Sequence, residues 1–231
     1  MSNAPTLLGA DGAASVATMF MMAHHGFRRD LAQFRAALPR LAGDHAARAS
    51  AIAEEWTFFR GALHAHHEME DKGLFPQLAG RDASLGPVIA QLGTQHRLID
   101  PMLERGDALF ARLDDAAARE GARALVAEMS ALLDGHLALE EERIVPSLRA
   151  LKTLPMPVAT DEMAAQMSQG LAWSSHGVAP DVVSAVFALL PESVTTRLPA
   201  ERAAYAARCE RAWGSANAGA SRTAVPDLGA E

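Results

Sequence analysis

Two short stretches of this chain carry nearly the same set of side chains able to bind metal. "HHEMEDKGLFP", starting at His66, aligns with "HLALEEERIVP", starting at His136: His66 matches His136, Glu70 matches Glu140, Asp71 matches Glu141 and Pro76 matches Pro146. In each, an acid follows a histidine by one helical turn, so imidazole and carboxylate share a helix face. One such pair alone is commonly an exposed hydrogen-bonded couple. Here, however, His24 and His96 stand upstream at matching distances. From each of them to the next turn, and from that turn on to His66 or His136, the chain runs nearly equal lengths. At about 1.5 Å of rise per residue, all four histidines then reach a common level. Four imidazoles and two carboxylates form a mixed nitrogen and oxygen donor set. It suits two iron ions, or second to them manganese, bridged by the carboxylates. Burying these groups without cations would be costly, and a pair of cations would stabilise the fold.

The histidine doublets have to be resolved. His24 has Phe20, Met21, Phe27 and Leu31 as helical neighbours, whereas His25 has Met21, Met22, Arg28 and Arg29, a more polar face. His24 is therefore the inward one. At the second doublet the repeat register selects His66 and places His64, His67 and Glu68 at the rim, with His67 the alternative ligand. His45 and His176 stand outside the pattern and read as surface or internally satisfied histidines.

Four long helices would position these residues. "AASVATMFMMAHHGFRRDLAQFRAAL" has apolar residues at helical spacing and is stopped by Pro39. Asp44 is placed to cap a second helix that runs through Trp56, Phe58 and Phe59 into the first histidine stretch. After the turn "GRDASLGP", Ser84 is placed to cap a third, with Pro87 in its first turn, a kink at Pro101 and an end near Leu113. A fourth spans roughly Asp115 to Glu142 and ends near Pro146. Short turns between long helices predict an all-α, antiparallel up-down-up-down four-helix bundle over residues 14–150. Shorter helical pieces broken by Gly177, Pro180, Pro191 and Pro199 predict a C-terminal helical extension over 151–213, packed on the bundle and covering one end. Residues 214–231 read as a flexible tail.

The bulk properties agree. Among 231 residues, 49% are hydrophobic and the net charge is -7, which suits a packed core and argues against nucleic-acid binding. Cys209 is the single cysteine, which excludes an intrachain disulfide and suits a reducing cytoplasm. The apolar "SVATMFMM" is too short for a membrane span and lacks a preceding basic region, so neither a signal peptide nor a membrane partner is expected.

The set His24, His66, Glu70, His96, His136 and Glu140, supported by "HHGFRRDL", "QHRLID", "LFPQL" and "IVPSL", resembles the hemerythrin-like, or HHE cation-binding, family over roughly residues 14–150. The resemblance implies a non-haem di-iron centre with Glu70 and Glu140 bridging and the histidines as terminal ligands. One departure stands out: oxygen-carrying hemerythrins have a second histidine one turn after the first on the third helix, and here that position is Asp100. Fewer imidazoles would leave one iron more open. That favours catalase- or peroxidase-like turnover of hydrogen peroxide, a response to oxidative stress, with Glu141 moving protons, in a monomer or small homo-oligomer. The alternative is a non-enzymatic sensor, carrier or store for oxygen, nitric oxide or iron. Trp173, Trp213 and Tyr205 read as packing residues, with Tyr205 the one to check for an approach to the metals.

Overall fold

The structure, a computed structural model, describes residues 7–9, 11–41, 46–151 and 160–214. Every long element among them is a helix and none is a strand. The first long helix, α1 (Val16–Ala37), starts where Thr18 Oγ1 accepts from Ser15 N and donates to the carbonyl of Leu7, and it tightens into a 3₁₀ turn at Leu38–Arg40 around Pro39. Pro39 thus acts as expected, since proline fits a first turn but cannot continue a helix. The second, α2 (Ala46–Met69), passes through one π-wound turn at Glu70–Leu74 into the short α3 (Phe75–Arg81), with Pro76 in its first turn. The cap expected from Asp44 lies outside the described residues.

The cap at the next turn differs from expectation. Asp82, not Ser84, supplies the side chain: its Oδ1 accepts from Ser84 N at 2.9 Å and closes a 3₁₀ turn at Ala83–Leu85. An Asx carboxylate accepts a backbone N–H two residues on more readily than a hydroxyl does. Pro87 does open the following helix, α4 (Gly86–Phe110), which runs on through Pro101. The fourth long helix, α5 (Ala116–Arg143), is capped by Asp115, whose Oδ1 accepts from Ala117 N at 2.7 Å. It yields at Ile144 to the short α6 (Val145–Ala150), with Pro146 in the first turn.

Helices α1, α2, α4 and α5 each pack on two of the others, closing a ring. Two apolar clusters fill it. One joins Phe20 of α1, Leu74 and Phe75 after α2, Leu92 of α4, and Ile144 and Leu148 after α5. The other joins Phe34 of α1, Ile52 and Trp56 of α2, Phe110 of α4 and Leu125 of α5. The beginning of one helix shares a cluster with the end of the next, the pattern an alternating bundle produces. At the second cluster Trp56 stacks on Phe110 with centroids 4.4 Å apart. That ring lies so close to Gly106 that a Cβ there would come within 1.8 Å of it, so only glycine fits.

The C-terminal helices are α7 (Asp161–Ser174), α8 (Pro180–Phe187), α9 (Glu192–Thr195) and α10 (Leu198–Trp213). Instead of covering one end, they run along the flank: α7 packs on α1, and α10 on α1 and α2. Leu171, Val186 and Val194 join the first apolar cluster, and Cys209 and Trp213 the second. The seam is polar as well. Trp173 Nε1 donates to Asp30 Oδ2 at 2.7 Å, and the buried Arg29 pairs with Asp30 and donates to the carbonyls of Trp173 and His176. A buried guanidinium needs all of these partners to remain charged. The tail from residue 215 lies outside the described residues, and no helix among those described is long and apolar enough to cross a membrane.

Candidate metal centre

Between the two apolar clusters each long helix turns one histidine inward. His24 lies between Phe20 and Phe27 on α1, His66 follows Leu63 on α2, His96 lies between Leu92 and Ile99 on α4, and His136 follows Leu133 on α5. All four are buried, as are Glu70 and Glu140, which are fully inaccessible. The helical spacing works as the sequence requires: His66 Nε2 stands 3.0 Å from Glu70 Oε1, and His136 Nε2 stands 3.4 Å from Glu140 Oε1. Each carboxylate also reaches across the bundle. Glu70 Oε2 lies 3.5 Å from His96 Nε2, and Glu140 Oε2 lies 3.3 Å from His24 Nε2. Each acid therefore presents one oxygen to an imidazole of its own helix and the other to an imidazole of a different helix.

The far nitrogens of three rings are held from outside. His24 Nδ1 donates to Glu141 at 2.9 Å, His96 Nδ1 to Asp71 at 3.0 Å, and His136 Nδ1 to Gln95 Oε1 at 2.9 Å. With the proton on Nδ1, the Nε2 lone pairs face inward, the arrangement a metal-binding imidazole needs. The repeat partners Asp71 and Glu141 do this work crosswise. Asp71 of the first hairpin orients a ring of the second, and Glu141 of the second orients a ring of the first.

Polar atoms at the centre are left over. His24 Nε2, His66 Nε2, both ring nitrogens of His67 and all four oxygens of Glu70 and Glu140 are buried without a hydrogen-bond partner. Buried polar groups are nearly always satisfied. The electrostatics point the same way. Burial, reinforced by the charges of Glu140 and Asp71, lifts the Glu70 carboxyl well above the usual range. Burial and the neighbouring imidazoles depress His66 well below its usual value. Burial also takes His67 down to about 2 and His136 to about 4. His24 is raised instead: burial would lower it, but Glu140 and Glu141 beside it win. The donors form two sets of four, His24, His66, Glu70 and Glu140 in one and His67, Glu70, His96 and His136 in the other, each with all its ligand atoms within 4.8 Å of one another. Two cations would satisfy these atoms.

The family model for the hemerythrin HHE cation-binding domain matches residues 15–157. The chain belongs to that family. No curated protein and no solved structure matches it. The hemerythrin match covers the bundle and stops before α7, so the extension on its flank is an addition to the matched domain.

Within this hemerythrin domain the six residues singled out by spacing all meet at the centre. His67 was relegated to the rim by the repeat register; it is buried, and its ring stacks on His96 with centroids 4.0 Å apart. His64 and Glu68 are exposed, and Glu68 pairs with Lys72. Asp100 is exposed and takes no part in either donor set. His25, read as the more polar of its doublet, is nevertheless buried: its Nε2 donates to the His176 carbonyl at 2.8 Å, facing the extension and not the centre. Tyr205 does not approach the donors either. It packs against the Arg29 guanidinium and the His176 ring. His45 lies outside the described residues.

Proposed function

We propose that this domain holds a dinuclear non-haem iron centre and binds a small neutral molecule, oxygen or nitric oxide, at it. The observation that carries the proposal is the convergence of buried imidazole nitrogens and carboxylate oxygens that have no hydrogen-bond partner. His24, His66, His96 and His136 would be terminal donors, with Glu70 and Glu140 linking the two ions. An imidazole-rich set mixed with carboxylate suits iron better than calcium or magnesium, and no cysteine is near to favour a thiolate site. When bound there, iron would supply redox-active, Lewis-acidic chemistry toward such a ligand.

The surroundings favour a neutral ligand. Phe20 lies against His24 and His66 with centroids at 4.4 and 5.2 Å, Phe27 lies against His66 at 5.2 Å, and Phe75 stacks over His96 at 6.0 Å. Peroxide turnover would need a nearby group that gives and takes protons. Glu141, the acid nominated for that role from sequence, is clamped by His24 and Arg28. Burial alone would raise its carboxyl, but those two hydrogen bonds hold it below the usual range, where it is a poor proton donor. That removes the proton carrier that turnover would use, and binding becomes the better reading.

The test is anaerobic loading with ferrous iron, metal analysis, then exposure to oxygen, nitric oxide or hydrogen peroxide. The expected result is about two irons per chain and a stable coloured adduct without oxygen evolution from peroxide. His66→Ala and Glu140→Ala lose the iron, whereas His64→Ala keeps it. Zinc alone, or no metal, would overturn the iron centre. Sustained oxygen evolution from peroxide would replace binding by turnover.

A further inference from the structure

We infer that His67 is a direct metal ligand, an additional imidazole supplied by α2 in place of the one that Asp100 does not provide on α4. The inference rests on the two-cation reading above and adds to it a donor that the family motif does not contain.

Three observations carry it. The first is the state of the ring. His67 is 4% exposed, and neither Nδ1 nor Nε2 has a hydrogen-bond partner. A histidine serving only as packing, or as an outer support for another ligand, would donate or accept at one nitrogen at least. His25 shows what such a residue looks like here: it is buried too, but its Nε2 is satisfied by the His176 carbonyl.

The second is position. His67 stacks on His96 at 4.0 Å and meets His136 edge-on at 5.5 Å, so three imidazoles from α2, α4 and α5 surround one spot. His67, His96, His136 and Glu70 each offer an atom within 4.8 Å of all the others. On α2, Glu70 follows His67 by three residues and His66 by four, and both spacings put side chains on the same face. Adjacent histidines thus reach the two donor sets on either side of Glu70, His66 with His24 and His67 with His96 and His136.

The third is the broken symmetry of the repeat. The residue matching His67 in the second hairpin is Leu137, wholly buried in the apolar core. The first hairpin has an imidazole where its copy has a core leucine. At the same time Asp100, one turn after His96, is exposed and cannot serve that set. A ligand is missing from α4 and an unpartnered one is present on α2, facing the same donors.

The experiment compares wild type, His67→Ala, His67→Gly and the exposed-histidine control His64→Ala. Each is loaded anaerobically with ⁵⁷Fe(II) and read by iron content and Mössbauer spectroscopy, with circular dichroism to verify folding. The expected result is loss of one iron, or a loss of affinity for it of at least about tenfold, in both His67 variants, with His64→Ala unchanged. Added imidazole fills the space left in His67→Gly and restores the second iron and its spectrum. Two irons with wild-type spectra in His67→Ala would overturn the assignment. So would a loss in His67→Gly that imidazole does not restore, since that is the behaviour of a packing residue. Failure of the wild type to hold two metals would instead overturn the two-cation reading, so the two failures are distinguishable.

Discussion

Replacing Glu70 by leucine should strengthen the metal-free protein while destroying the centre, and this opposition of signs is a stringent test of the site. Glu70 is fully buried, neither of its oxygens has a hydrogen-bond partner, and burial beside Glu140 pushes its carboxyl well above the usual range. Without cations it is therefore a desolvated carboxyl among buried imidazoles and a second carboxyl, with no hydrogen-bond partner. Leaving such a group unpaired costs about 1–3 kcal/mol, and replacing it by an apolar side chain of similar size recovers most of that. For a chain of this size, 1 kcal/mol moves the melting temperature by about 2–4 °C. Chelator-treated Glu70→Leu should thus melt roughly 2–12 °C above chelator-treated wild type by calorimetry at neutral pH. In the loaded protein the order reverses. At free metal about a thousandfold above its dissociation constant, each site adds about 4 kcal/mol to the wild type. The variant, lacking the acid shared by both donor sets, receives little of this. A metal-free Glu70→Leu that melts below wild type would mean that Glu70 is satisfied in some other way. Equal melting of the two loaded proteins would refute its role as a bridge.

Other outcomes follow from the same contacts. Gln95→Ala and Asp71→Ala release the Nδ1 groups of His136 and His96 without touching the centre, and each should weaken iron binding about 10- to 100-fold in a competition titration. Gly26→Ala would put a Cβ 2.5 Å from the Trp173 ring, where α7 crosses α1. It should cost about 1–3 kcal/mol of stability by thermal melting, while Gly135→Ala, with open space at its Cβ, should not. Cys209 lies on the buried face of α10, and that burial pushes its thiol up to about 11, so at neutral pH it should resist thiol reagents. Its reactivity in Gly26→Ala should rise if the extension loosens, which quantitative labelling would read directly.

The six candidate donor residues were legible because helical geometry is local. A histidine four residues before an acid shares its face whatever surrounds the helix, and two copies in register exposed the pairing of His66 with Glu70 and of His136 with Glu140. Turn chemistry was legible for the same reason at Pro87, and misread at Ser84 because Asp82, two residues earlier, caps the turn by accepting from the Ser84 N–H itself. His67 came only second because the register compares the chain with itself, and its counterpart is the core residue Leu137. Its ring finds the second donor set only through the way α4 and α5 pack on α2. Packing likewise decided which imidazole each outer acid holds. Asp71 and Glu141 correspond in the repeat, yet each reaches across to a histidine of the other hairpin. The flank on which the extension lies was settled by Trp173 fitting over Gly26 and donating to Asp30. The sequence by itself determined which side chains each helix presents, since that depends on residues one turn apart. Only the tertiary structure decided which helices those side chains meet, because that depends on packing between residues far apart in the chain.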